Sequence, residues 1–442
     1  MKKLLALLLA LAIVLSLAAC GGAPAEDKPA ADAPAADAPA ADAPAADAPA
    51  TIKIGLVFPI TGGNADQGVF NVDGAKYIVD YINKNGGVKS LNGAQLELVV
   101  YDNMSDTEQC KATAERLIQE NPDVVAVTGA ASSSYVLPML PVFEKAEVPF
   151  LTAQVSESIT NQGYNYAFRV GSTGGSFAEY QVKFVEWLNA EYNLGITKIG
   201  IVYEDTEWGL SNTSGAVKAI EATEGLEIVY QEAFTANGSD LSNIVVGLMN
   251  SGAEVVFPTC YTQDAKLLFN TMKAMEYAPL IIGGGGGFLY PAFAEELGDL
   301  VDGVVSVTGH NYDLARFATC GNDLFANFGS GFEAMFGYFA PEQAVATASA
   351  IYDAYMAMEA TGSTEGAVLA DYLHNTYEAD SLSPGGEPKD FDETGAHVTG
   401  HAVIVQWQKG EDGVYRTRTV FPAKDASADF QLTDGLKAMM GE

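Results

Sequence analysis

From Thr51 onward the sequence alternates β-rich runs with stretches of helical periodicity, and this alternation is the strongest constraint on its fold. The first run, Ile52-Lys53-Ile54-Gly55-Leu56-Val57-Phe58, ends at Pro59. The next apolar residues fall on one helical face, at Val72, Ala75, Ile78, Val79 and Ile82. Asn85-Gly86-Gly87 is a typical helix end. Strands separated by helices are typical of βαβ units and therefore predict a parallel sheet.

The alternation continues and then starts again further along the chain. In the first half it predicts strands at 96–101, 124–127 and 149–151, with helices at 110–120 and 135–146. In the second half it predicts strands at 198–202, 227–230, 255–257 and 280–282, with helices near 210–224, 240–251 and 263–276. Two successive α/β halves predict two lobes. Because parallel sheets bind ligands at the carboxyl ends of their strands, facing lobes predict a ligand cleft between them.

The first fifty residues are predicted to be an export signal and a stalk. Lys2 and Lys3 precede the apolar run 4–19, which is too short to span a membrane and is typical of a secretory signal. The run ends in Leu17-Ala18-Ala19-Cys20-Gly21, which resembles a bacterial lipobox. We therefore expect a lipoprotein signal peptide at 1–19. Residues 20–50 are expected to be a lipidated Cys20 and a disordered stalk rich in Ala, Pro and Asp.

Composition excludes several partners and cofactors. The chain has 57 acidic and 23 basic side chains, a net charge of −34, which argues against nucleic acid and against an anionic membrane surface. Beyond Cys20 the cysteines are Cys110, Cys260 and Cys320, an odd number with no C-x-x-C pair. We expect free thiols, and neither zinc nor a redox cofactor.

Motifs for catalysis and metal binding are scarce. The sequence has no G-x-S-x-G, no Walker loop and no H-E-x-x-H. His397 and His401 follow Asp390 and Asp392, but this stretch reads as a turn entering a strand at 401–407, so no metal site is predicted. No His falls on a predicted cleft loop. An exported α/β enzyme, which would need a nucleophile–base pair, is therefore the least favoured function.

Two stretches that follow predicted strands have two interpretations each. The glycine run Gly283–Gly287 is either a pliant loop or a place where backbone approaches a ligand. The serines in Ala131–Tyr135 are either helix caps or, together with helix N–H groups, a neutral anion site.

The assembled residues resemble the type 1 solute-binding proteins of ABC importers, and most of all the leucine/isoleucine/valine-binding branch. The likeness covers 51–422 and rests on stretches such as Tyr101-Asp102-Asn103, Gly163-Tyr164 and Val405-Gln406-Trp407. It implies an α/β fold of two Rossmann-like lobes, parallel sheets flanked by helices, with a ligand cleft between them. Three crossovers are expected near Gly171, Thr308 and Gly400. Lobe 1 would comprise 51–171 and 309–399, and lobe 2 would comprise 172–308 and 400–442.

The resemblance also implies ligand contacts. Two places match the family's contacts to the ligand's carboxylate. They are Ser133, with Ser134 beside it, and Ser156, with the backbone near Gln154. Gln67 matches a cleft aromatic of the first lobe, and Trp208 and Tyr261 match those of the second. The acid that pairs with the ligand's ammonium in amino-acid binders falls here at about Gly285. Either another acid substitutes, or the ligand lacks an α-ammonium; the acids on cleft-side loops are Asp66, Glu204, Asp205 and Glu207.

These implications define the expected function. The chain is expected to be a monomeric lipoprotein on the outer face of a bacterial cell membrane. It would deliver a small polar, carboxylate-bearing solute, similar to a branched-chain amino acid, to an ABC permease, without catalysis, cofactor or metal. The alternatives are a ligand-sensing domain without a permease and a binder of a small molecule that is not an amino acid.

Overall fold

The computed structural model describes residues 50–382 and 390–433. The predicted signal peptide and all of the predicted stalk except Ala50 lie outside these residues. Among the described helices, none combines the length and the apolar character that a membrane crossing requires.

The described residues form strands and helices that we number in chain order. The strands are β1 Thr51–Phe58, β2 Gln95–Asp102, β3 Val124–Gly129, β4 Phe150–Thr152, β5 Ala167–Arg169, β6 Lys198–Glu204, β7 Glu227–Phe234, β8 Val255–Thr259, β9 Leu280–Gly283, β10 Val305–Thr308, β11 Val403–Lys409 and β12 Tyr415–Phe421. The helices are α1 Ala65–Lys84, α2 Thr107–Glu120, α3 Ser133–Val136, α4 Leu140–Ala146, α5 Gly174–Tyr192, α6 Glu207–Glu221, α7 Ser242–Ser251, α8 Thr262–Ala274, α9 Pro291–Leu297, α10 Asp323–Phe336, α11 Glu342–Thr361 and α12 Gly366–Asn375.

The first sheet is parallel, in the order β2-β1-β3-β4-β5. Its strand β3 is buried along its whole length, as expected for a sheet with helices on both faces. Helix α11 comes from much later in the chain, yet it packs along α1 and against β3 and β4. Gly74 of α1 permits this approach, because a Cβ there would clash with the backbone of Ala344.

The second sheet has the order β12-β11-β10-β9-β8-β6-β7. Strands β6 to β10 are parallel, whereas β10, β11 and β12 are joined antiparallel. Helices α5 and α6 pack against each other, and α5 also contacts β10 and β11.

The chain passes between the two sheets three times. The passages lie between β5 and α5, between β10 and α10, and between α12 and β11. The expected crossovers near Gly171, Thr308 and Gly400 fall at these places. The predicted fold class, two α/β lobes joined by three crossovers, is therefore confirmed, while the lobe boundaries given above stay predictions.

One predicted helix is interrupted. The periodicity over 135–146 predicted a single helix, but the structure has the short helix α3 followed by α4. Pro138 lies between them and Pro141 lies in the first turn of α4. Because proline lacks an N–H and clashes with the preceding turn, a continuous helix is unfavourable here.

Candidate functional site

A small cavity lies between the two sheets, at the carboxyl ends of their strands. Its volume is about 30 Å³, so the lobes lie close together around it. The first lobe contributes the loops after β3 and β4 and the start of α11, and the second contributes α5, α6 and the loops after β8, β9 and β10. The lining residues are Ala131, Ala153, Gln154, Val155, Phe177, Trp208, Tyr261, Gly286, His310, Glu342, Gln343 and Ala346.

Three of the predicted contacts line this cavity: Gln154, Trp208 and Tyr261. The Trp208 side chain is almost fully buried and tilts over the Tyr261 ring, with the ring centroids 4.7 Å apart. Trp208 is the second residue of α6, where the Thr206 hydroxyl caps the helix by accepting from Gly209 N–H. The two rings form an apolar wall on the side of the second lobe.

The glycine run forms the floor beside these rings. Gly285, the predicted position, lies next to the cavity, and its neighbour Gly286 lines it. Both have positive φ, +93° and +53°. A Cβ on Gly285 would lie 2.9 Å from the Phe177 ring, and a Cβ on Gly286 would clash with the Trp208 ring. Close approach of the backbone is therefore what requires glycine here.

The predicted serine contacts lie together, just outside the cavity lining. Ser133 is fully buried, and its hydroxyl accepts from Ser156 N–H at 3.3 Å. Ser134 is half-buried beside it. The Ser156 hydroxyl donates to Glu207 Oε1 at 2.7 Å, a bond between the lobes. The structure thus places these hydroxyls beside the loop that carries Gln154.

Gln67 lies in the first turn of α1 and is 1% exposed. Neither polar atom of its side-chain amide has a hydrogen-bond partner among the described residues. Gln67 does not contribute to the cavity lining. A buried amide without partners is unfavourable, and the role of Gln67 as a ligand contact stays a prediction.

None of the four acids suggested by the sequence lines the cavity. Glu204 is fully buried behind Tyr261, whose N–H donates to Glu204 Oε1 at 2.5 Å. Burial, together with the adjoining Asp264 carboxyl, raises the pKa of Glu204 to about 9. The other three acids accept hydrogen bonds elsewhere: Asp66 from Gln67, Asp205 from Thr235 and Ala236, and Glu207 from Ser156 and Ser158.

The carboxylate in the described cavity wall is that of Glu342, at the start of α11. Gly309 N–H donates to its Oε1 at 3.3 Å, and Gly286 N–H also bonds to this carboxylate. Burial raises the pKa of Glu342 to about 7. Sequence reasoning missed this residue. Its one local signal is Pro341 before an Ala-rich run, a typical helix start.

His310 also lines the cavity, so the expectation that no His lies on a cleft loop is wrong. It follows β10, where the Thr308 hydroxyl donates to the His310 carbonyl at 2.7 Å. The described cavity wall contains no Ser, Thr or Cys that His310 could activate as a nucleophile.

The remaining candidates for chemistry are occupied elsewhere. His401 pairs with Asp425 at 2.7 Å, and His397 bonds to Thr399. No group of three potential metal ligands occurs in the described part of the chain. Cys110, Cys260 and Cys320 are free thiols, the first two buried.

Comparison with known proteins agrees with this architecture. The periplasmic binding protein family model matches residues 51–412. The Leu/Ile/Val-binding protein homolog 8 of Brucella abortus is 32% identical over 293 residues, which is 65% of this chain and 70% of the relative. Homolog 7 of the same organism is 30% identical over 274 residues, 60% of this chain and 66% of the relative.

Solved structures share the fold at lower identity. The leucine binding protein LivK of Thermotoga maritima superposes with a TM-score of 0.70 at 20% identity, covering 84% of this chain and 99% of that one. A solute binding protein of an ABC transporter from Rhodopseudomonas palustris, in complex with 3,4-dihydroxybenzoic acid, gives a TM-score of 0.68 at 20% identity, covering 86% and 98%. The chain therefore belongs to the type 1 periplasmic binding proteins, in the branched-chain amino acid family.

Proposed function

We propose that this protein is an extracytoplasmic lipoprotein that binds a small carboxylate-bearing solute between its lobes and presents it to an ABC permease. The observation that carries the proposal is the cavity itself, which both lobes enclose at the carboxyl ends of their strands. Its wall combines aromatic rings with a few polar groups, the usual make-up of a small-molecule site.

In this proposal the two sides of the cavity contact different parts of the solute. On the first lobe, the loop carrying Gln154, with the Ser133 hydroxyl beside it, is the place for a carboxylate. On the second lobe, Trp208 and Tyr261 cover the apolar part of the solute. In the structure the bond from Ser156 to Glu207 already joins the lobes around a cavity of about 30 Å³, so the solute enters when the lobes part.

The membrane attachment in this proposal depends on Cys20. A lipid on this residue would hold the protein at the outer face of the membrane, near the permease. Delivery to a permease is supported by the family to which the chain belongs.

A second candidate is a binder of an organic acid that has no ammonium. It is supported by Gly285, which stands where amino-acid binders of this branch have an acid. A structural neighbour crystallised with 3,4-dihydroxybenzoic acid shows that this fold also accommodates such a ligand.

A thermal-shift screen of the mature protein tests the proposal. The panel contains amino acids, short organic acids, aromatic acids, amides and nucleosides. A ligand that binds only the native state adds about 2.7 kcal/mol at one hundred times its Kd, so a true carboxylate ligand raises the Tm measurably. If only solutes without a carboxylate raise the Tm, or none does, the proposed ligand class is wrong.

A further inference from the structure

We propose that Glu342 binds an ammonium group of the solute, from the first lobe, in place of the acid that the glycine run of the second lobe lacks. The solute would then be an ammonium-bearing carboxylate. This inference rests on the proposed function, because it concerns the same cavity.

Glu342 lies in the cavity wall at the start of α11, and the backbone N–H groups of Gly309 and Gly286 hold its carboxylate. Gly286 belongs to the glycine run after β9, and Gly309 directly follows β10. The carboxylate of the first lobe therefore lies against the loops of the second lobe. The Thr308 side chain also bonds to it, and since a carboxylate has about four acceptor sites, these three contacts leave room for a ligand.

The acid comes from α11 because the glycine run cannot hold one. A side chain at Gly285 would press on Phe177, and one at Gly286 would clash with Trp208. The N–H of Gly286 instead donates to the carboxylate of Glu342, which arrives from the opposite lobe.

The described cavity wall contains no Lys and no Arg, and His310 is its one basic side chain. Burial raises the pKa of the Glu342 carboxyl, which means that ionisation there is disfavoured without a cation. A solute ammonium supplies that cation. The faces of Trp208 and Tyr261 border the same space, and aromatic faces attract cations.

Other acids near the cleft are less suitable. Glu204 is fully buried behind Tyr261 and adjoins Asp264, so it does not reach the cavity. Glu207 accepts hydrogen bonds from the Ser156 and Ser158 hydroxyls. Glu342 is the acid in contact with the described cavity.

The test compares two variants on the same helix. Glu342→Gln removes the charge in the cavity and keeps the shape of the side chain. Glu359→Gln, near the other end of α11, is the matched control. Its carboxylate also accepts from two backbone N–H groups, those of Lys89 and Ser90, but it is remote from the cavity. Circular dichroism and the Tm establish that each variant is folded.

The experiment measures, by calorimetry, the preference of each protein for an amino acid over the matching 2-hydroxy acid. The probes are the twenty standard amino acids and, for each that binds, its 2-hydroxy acid. We expect the wild-type protein to bind at least one amino acid ten- to a hundredfold more tightly than its 2-hydroxy acid. In Glu342→Gln this preference should fall to within about threefold, mainly through loss of amino-acid affinity, whereas Glu359→Gln should keep it. If Glu342→Gln does not fold, Glu342→Asp, which keeps the charge but withdraws it by one methylene, should reduce the preference.

Each result bears on one of the two proposals. A preference for the amino acid that survives unchanged in Glu342→Gln overturns the role of Glu342. A wild-type protein that binds organic acids but none of the amino acids also overturns the role of Glu342. In that case the proposed binding of a carboxylate stands. A wild-type protein that binds no carboxylate of either kind overturns the proposed function as well.

Discussion

Replacing Glu204 by Gln should make the protein more stable at neutral and alkaline pH. Glu204 is fully buried, with its Oε1 bonded to Tyr261 N–H and its carboxyl beside that of Asp264. Burial and this neighbour raise its pKa from an ordinary 4.5 to about 9. Gln keeps an acceptor for Tyr261 N–H, and its amide N–H can donate to Asp264. The variant therefore removes a buried ionisation without removing the hydrogen bonds.

The direction and the magnitude of this change in stability follow from proton linkage. Between pH 4.5 and about 9 the folded protein keeps the Glu204 proton, whereas the unfolded chain has lost it. The folded state then binds more protons, so the free energy of unfolding falls as pH rises. The loss is at most about 1.4 kcal/mol per pH unit for one group. From pH 5 to pH 8 the wild-type protein should therefore lose up to about 4 kcal/mol through Glu204 alone.

Urea unfolding followed by circular dichroism at pH 5, 6, 7 and 8 measures this effect. The free energy of unfolding of Glu204→Gln should exceed that of the wild-type protein by an amount that grows with pH. Glu97→Gln, on an exposed position of β2, removes a charge at the surface and should leave the wild-type slope unchanged. Wild-type and Glu204→Gln curves that run parallel from pH 5 to pH 8 would refute the linkage argument.

The other predictions concern the ligand and the membrane anchor. Trp208→Phe should remove most of the ligand-induced fluorescence change and weaken binding by about 1 kcal/mol, because an aromatic ring remains; Trp187 packs against Phe184 and Trp407 is fully buried, so a signal that survives would place the ligand elsewhere. Ser133→Ala should weaken binding of a carboxylate by about 1.5–3 kcal/mol, or ten- to a hundredfold in Kd by titration, and an unchanged Kd would remove Ser133 from the site. Cys20→Ala should release the protein from the membrane fraction or leave it unprocessed, and a correctly cleaved, membrane-bound variant would contradict lipidation.

Local sequence patterns were sufficient for the elements that alternate clearly. The apolar face of α1 is visible in the sequence because its other side is exposed, and β1 is visible as an apolar run because it is buried along most of its length. Helix α11 lacks such a pattern, since it is buried on most of its surface and is rich in alanine. The short strand β10 carries only four residues, too few for a periodic signal.

The site was predictable only where its residues directly follow recognisable strands. Gln154 and Tyr261 follow β4 and β8, and resemblance to the family identified them. Glu342 begins α11 and His310 follows β10, two elements that the pattern did not predict, and each residue reaches the cavity through the tertiary fold. The contact of Glu342 with the glycine run joins two lobes, so no spacing within the sequence encodes it.

The arrangement of the second sheet affects the order in which the protein can fold. Strand β10 is bonded to β9 on one side and to β11 on the other, but helices α10, α11 and α12 lie between β10 and β11 in the chain. When the polypeptide emerges from the ribosome or from an export channel, the strand β10, which is buried in the folded protein, therefore presents an open edge until β11 follows. An open edge of this kind can pair with another chain. The interval before β11 emerges is thus the period in which the nascent chain is most exposed to aggregation and most dependent on chaperones.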